Sequence, residues 1–131
     1  MSGIVSLLNG KGNLKSLGPV DDNAVSSAES KLGVKFTDEY RQYTKAFGAI
    51  SLENTEFTGA VEPIDLNVVT VTQSARTITK DVPSDWYVIS DPHIDGIIIW
   101  QDKNGRIYQT APGAVSKLIS SSFYSYIQSI Y

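Results

Sequence analysis

The feature that most constrains this chain is residues 28–49, Ala-Glu-Ser-Lys-Leu-Gly-Val-Lys-Phe-Thr-Asp-Glu-Tyr-Arg-Gln-Tyr-Thr-Lys-Ala-Phe-Gly-Ala. Two helix stops flank one helix start. Gly33 follows an apolar stripe of Val25, Ala28 and Leu32, and glycine enters the left-handed conformation that closes a helix without steric cost. Thr37 offers a side-chain oxygen to the amides that open the next helix. Asp38 and Glu39 follow in its first turn, where the helix dipole favours acids. Tyr40, Tyr43, Ala46 and Phe47 recur at three- and four-residue spacing until Gly48 ends the run. Upstream, Asp21 or Asp22 can cap the first of the two helices. Two helices with apolar faces, held apart by a short extended link, must pack on something else in the chain.

That partner is rich in strands. Residues 49–52 and 57–60 read as short strands. Residues 68–71 are β-branched and predict a strand leading into a short helix over 73–78. Residues 86–89, 96–101 and 106–109 are three further strand candidates. The Asp102-Lys103-Asn104-Gly105 link between the last two is a hairpin signal, and connections this short demand antiparallel neighbours. Pro112-Gly113 is expected to end the sheet. Ser121 or Ser122 caps a closing helix with Phe123, Tyr126, Ile127 and Ile130 along one side. The first twenty residues hold Gly10, Gly12, Gly18 and Pro19 and read as loop, apart from one apolar turn over residues 4–8. The prediction is an α+β fold: an antiparallel sheet of about five to six strands with flanking helices, placed early and at the C-terminus. One domain over residues 1–131 is expected, with 1–20 poorly specified and 21–131 as the core.

A chain of 131 residues with 41% hydrophobic content can bury one real core. No run of eighteen apolar residues and no basic apolar leader is present, so the expectation is a soluble, cytoplasmic protein without a membrane partner. Cysteine is absent, which excludes disulfides, thiol chemistry and the usual zinc frameworks. The net charge of -3 is unevenly spread. Residues 46–102 hold nine acids and two bases, whereas residues 103–131 hold three bases and no acid. An acidic middle disfavours nucleic acid as a direct ligand, because phosphate contacts need clustered Lys and Arg, and it favours a basic protein partner.

Catalytic signals are weak. The one histidine, His93, sits between Pro92 and Gly96 in a strand connection, and no Gly-x-Ser-x-Gly elbow is present. Asp91, Asp95, Gly96 and Asp102 match calcium-loop positions one, five, six and twelve. Position three is His93, position twelve is the shorter Asp, and residues 96–101 are strand-like where a calcium loop would enter a helix. No metal, cofactor or catalytic residue is expected. Trp86 and Trp100 lie in strands that should pair; one core residue and one exposed partner anchor is a reading open to them, but a tryptophan in a strand is more often packing.

The order of these pieces resembles the SUKH superfamily, the Smi and Knr type of cell-wall regulators and bacterial immunity proteins. Four matches carry the resemblance: Ala28-Glu29-x-x-Leu32-Gly33-Val34-x-Phe36-x-x-Glu39-Tyr40, with Thr37 where the family usually has proline; Phe47-Gly48-Ala49; Asp95-Gly96 followed by Asp102-x-x-Gly105-x-Ile107-Tyr108; and Ser122-Phe123-x-x-Tyr126-Ile127. The resemblance implies an antiparallel sheet with packed helices and a partner-binding domain without shared catalytic residues. Many bacterial members look like antidotes to secreted toxins, often nucleases. The expectation is an immunity protein, monomeric or weakly dimeric, that occludes a basic toxin surface through Glu53, Glu56, Glu62, Asp85, Asp91 and Asp95. The alternative is a regulatory or scaffold domain of the same fold acting on a cellular partner.

Overall fold

Cap chemistry sets the helix boundaries. The computed structural model describes residues 3–79 and 81–131. A short helix, α1 (Ile4–Asn9), buries Ile4 and Leu8 and is followed by a two-residue strand, β1 (Lys15–Ser16). Helix α2 (Asp22–Leu32) starts where the Asp21 carboxylate accepts the Ala24 amide at 2.9 Å, and it stops at Gly33, with φ 68°. Helix α3 (Asp38–Phe47) starts where Thr37 Oγ1 accepts the Tyr40 amide at 3.0 Å. Two short strands follow, β2 (Ile50–Leu52) and β3 (Thr55–Phe57), and then helix α4 (Val68–Ile78). Strands β4 (Tyr87–Ser90), β5 (Ile98–Gln101), β6 (Ile107–Thr110) and β7 (Lys117–Ser120) come next. Helix α5 (Phe123–Ile130), capped by Ser122 on the Ser125 amide, closes the order.

The fold is α+β, with an antiparallel seven-stranded sheet whose spatial order β1 to β7 follows the chain. Three local expectations are corrected. Residues 68–71 are helix from the start. Asn67 Oδ1 accepts the amides of Val69 and Thr70, and Val68, Thr72 and Ala75 fall on one buried helical stripe. A good cap and a face to bury outweigh the β-branched preference of the run. The Pro112-Gly113 pair does not end the sheet. Gly113, at φ 74°, turns the chain back, and β7 pairs with β6. With β1 at the opposite edge, this makes the sheet wider than the five to six strands expected. Finally, neither tryptophan is an exposed anchor: Trp86 and Trp100 are both buried.

The sheet buries two faces. On the first, Phe36, Tyr40, Tyr43, Phe57, Tyr87 and Phe123 form an aromatic core with Ile89, Ile99, Ile107 and Ile127. Rings meet edge to face, as in Phe36–Tyr87 at 4.8 Å and Tyr43–Phe123 at 5.1 Å. On the second face, Val88, Trp100, Tyr108 and Leu118 form a row across β4 to β7. Helix α4 covers the β4 end of this row with Ala75 and Val71, and Trp86 stacks on Tyr108 at 4.1 Å. Leu118, at the far end, is half exposed.

Glycine is required where backbones touch. Gly59 lies against the carbonyl of Gly48, so a Cβ at either position would collide with backbone. Thr44 Oγ1 ties the same crossing, donating to the Gly48 carbonyl at 2.8 Å and accepting the Ala60 amide at 2.9 Å.

Candidate functional site

The signature residues are occupied by the scaffold. The Glu29 carboxylate accepts the Phe36 amide at 2.7 Å and Arg41 at 2.8 Å, pinning the link between α2 and α3. Glu39 reaches across the molecule to α5. Its Oε1 accepts the Phe123 amide and its Oε2 the Tyr124 amide, each at 2.8 Å. Those two amides open α5 and have no partner within the helix, so an acid from α3 completes the cap begun by Ser122. Glu39 Oε1 also accepts Gln101 Nε2 at 3.2 Å, and Gln101 Oε1 accepts the Tyr87 hydroxyl at 2.7 Å. The Thr37 amide donates to that same hydroxyl at 3.2 Å. One buried polar chain thus joins α3, β4, β5 and α5. The hydroxyls of Tyr40, Tyr43 and Tyr87 are all bonded, and burial pushes all three phenols well above their ordinary value.

The hairpin after β5 is equally self-contained. Asp102 is buried; its Oδ1 accepts the amides of Asn104 and Arg106 at 2.9 Å, and its Oδ2 accepts the Tyr108 hydroxyl at 3.0 Å. Asp91 and Asp102 stand at opposite ends of β5, so they cannot share a cation across the calcium-loop spacing. Among the described residues, no three His, Cys, Asp or Glu side chains gather to hold a metal. His93 is exposed, with its imidazole 3.7 Å from Asp91, and no serine hydroxyl bonds it among the described residues.

A sheet that follows the chain sends alternate connections to the same end. The register puts the β2–β3 tip (Glu53 and Asn54), the β4–β5 connection (residues 91–97) and the β6–β7 connection (residues 111–116) at one end. Glu53, Glu56, Asp91 and Asp95 are therefore carried at or beside that end. Glu56 belongs with them because its carbonyl accepts the Ser90 hydroxyl at 2.8 Å, just before Asp91. Asp85 lies at the other end, where its carboxylate accepts the Lys103 amide at 3.2 Å. Glu62 lies in the β3–α4 connection, lining a separate hollow beside α2. Among the described residues, the non-glycine positions with positive φ all fall in the shared end: Glu53 (50°), Asn54 (70°), His93 (58°) and Asp95 (55°).

Between the end of α4 and these tips lies a groove of about 1100 Å³. Its lining includes Ile78, Val82, Ile98 and Val115, with Asp81 and Asp91 among them. Sequence reasoning missed the apolar members. Ile78 ends the predicted short helix but was assigned no surface role, and Val115 follows a Pro-Gly pair that read as the end of the sheet.

Among the described residues, no helix is long and apolar enough to cross a membrane. Comparison with curated proteins finds no match. The SUKH_5 family model, described as SMI1-KNR4 cell-wall, matches residues 1–131. A match over that span, on a sheet and helix pair held together by the resemblance's own signature residues, establishes that the chain belongs to the SUKH family of SMI1-KNR4 type domains.

Proposed function

We propose that this protein is an immunity protein, which binds a cognate bacterial toxin in the cytoplasm and neutralises it by stoichiometric occlusion, acting as one domain without chemistry of its own. The observation that supports this best is that Glu53, Asp91 and Asp95 on the connections, and Glu56 on the adjoining strand β3, all lie toward one end of the sheet. Carboxylates on exposed tips suit a basic surface such as the substrate cleft of a nuclease, where they compete with phosphates for Lys and Arg. Glu62 and Asp85 lie apart from this group and add to the long-range field that speeds encounter. The test is coexpression with the product of the adjacent gene, followed by charge reversal of all six acids. Loss of capture and of neutralisation is expected; neutralisation that survives all six reversals refutes the electrostatic reading. A second reading, a regulatory or scaffold domain on a cellular partner, is favoured by the cell-wall wording of the family description. An adjacent gene without a toxin-like product would support it.

A further inference from the structure

The groove beside α4 differs in character from the other hollows of the surface. Its apolar wall comes from four separate parts of the chain: Ile78 from α4, Val82 from the α4–β4 connection, Ile98 from β5, and Val115 from the β6–β7 tip. Large apolar side chains rarely stand in water in clusters. Here Ile78 is 79% and Val115 91% exposed. The charged lining among the described residues is acidic, Asp81 and Asp91, with His93 beside them. The hollow beside α2 mixes Asp21 and Glu62 with Lys31, and the one under the β5–β6 turn mixes Asp38 and Glu39 with Lys35 and Lys103. Lys117 follows the groove in sequence, but it pairs with Gln109 and points to the opposite face of the sheet.

We propose that this groove receives an apolar side chain, aliphatic or aromatic, projecting from a lysine- or arginine-rich stretch of a partner protein. The proposal rests on the partner-binding reading above and narrows the interface to one end of the sheet. The apolar wall takes the anchor, and Asp81 and Asp91 take the flanking cations. A second copy of the chain is the poorer occupant. Two-fold pairing through this groove would bring two copies of the same acidic lining together, in a chain of net charge -3.

The experiment titrates the isotope-labelled protein with a short synthetic peptide that carries one tryptophan flanked by lysines, reading backbone amide shifts. Saturable shifts at Ile78, Gly96, Gly113 and Val115 are expected. Affinity should fall about tenfold or more in Val115→Asp, and in the peptide whose tryptophan is replaced by serine. It should fall by several-fold in Asp91→Asn, which retains the oxygen that accepts the His93 amide at 3.0 Å. Absence of saturable binding, shifts spread evenly over the acidic surface, or undiminished binding in Val115→Asp overturns the proposal. So does a dimer that masks these same amides, which would make a second copy the occupant. The adjacent gene product separates the two readings. Its equal capture by wild type and Val115→Asp leaves the immunity reading standing and refutes the groove. Its failure to bind at all, with the peptide still seated in the groove, does the reverse.

Discussion

Replacing Glu39 by alanine should loosen α5 from the rest of the fold. The carboxylate accepts two backbone amides at 2.8 Å, and both belong to the first turn of α5, where no carbonyl of the helix can reach them. A hydrogen bond from a neutral donor to a charged acceptor contributes about 1.5–3 kcal/mol. Water can partly replace the lost acceptor at this half-buried site, so Glu39→Ala should cost about 3 kcal/mol, near the lower bound for two such bonds. For a domain of this size that lowers Tm by about 10 °C. Glu39→Gln keeps one carbonyl oxygen and should cost about half as much. Asp38→Ala is the control. Asp38 lies in the same first turn of α3, but its side chain is 90% exposed and its only ion pair is a loose contact to Arg41 at 3.7 Å, so its loss should cost about 0.5 kcal/mol. Urea denaturation measures all three, and hydrogen exchange should show the Phe123 and Tyr124 amides losing protection first. If Glu39→Ala costs no more than Asp38→Ala, or those amides keep their protection, the bridge between the two signature segments is not what holds α5.

Four further outcomes follow from the packing. Gly59→Ala, which would drive a methyl group into the Gly48 carbonyl, should destabilise by more than about 3 kcal/mol in chemical denaturation; a cost under about 1 kcal/mol would contradict the close crossing. Glu53→Gly should stabilise by about 0.5–1 kcal/mol, since it relieves a positive φ in a two-residue hairpin, while weakening capture of a basic partner. Arg76→Met should cost about 1–2 kcal/mol by calorimetry, because the guanidinium donates to the Ser84 carbonyl at 2.9 Å and the Trp86 carbonyl at 3.3 Å. At alkaline pH the unfolded chain releases phenolic protons near pH 10, whereas Tyr40, Tyr43 and Tyr87 hold theirs; stability is complete below that pH and falls above it by up to about 4 kcal/mol per pH unit for the three together. The tyrosinate signal of these three should therefore rise only together with unfolding, and titration of Tyr40, Tyr43 and Tyr87 themselves near pH 10 in a folded protein, assigned by tyrosine-to-phenylalanine variants, would refute the sign.

What the sequence disclosed was local. Asp21, Thr37 and Ser122 cap their helices as their positions suggest, because capping needs only an oxygen and an amide two or three residues away. The strands 87–90, 98–101 and 107–110 were legible from β-rich runs and an Asn-Gly link. The helix over residues 68–78 was half hidden, since its valines and threonines favour strands until the burial of Val68, Thr72 and Ala75 on one face decides otherwise. β7 was hidden because its four residues are largely exposed and carry no alternation strong enough to announce pairing. The candidate site was legible only as a list of acids. Which of them share an end depends on strand order, and that separates Asp85 from Asp91 although only five residues lie between them in the chain. The link from Glu39 to Phe123, across 84 residues, had no sequence signal at all.

A meander with all its signature contacts inside leaves its turns free to change. The tips at residues 53–54, 91–97 and 111–116 are far apart in sequence and side by side in space, the last two touching where Gly96 lies against the Pro112 ring. Away from that contact, lengthening one or recolouring it with charge makes little demand on the other two or on the aromatic interior. On the proposed reading, such an architecture is retargeted piecemeal: a new partner is met by rewriting three short stretches while Glu29, Glu39 and Gln101 stay as they are.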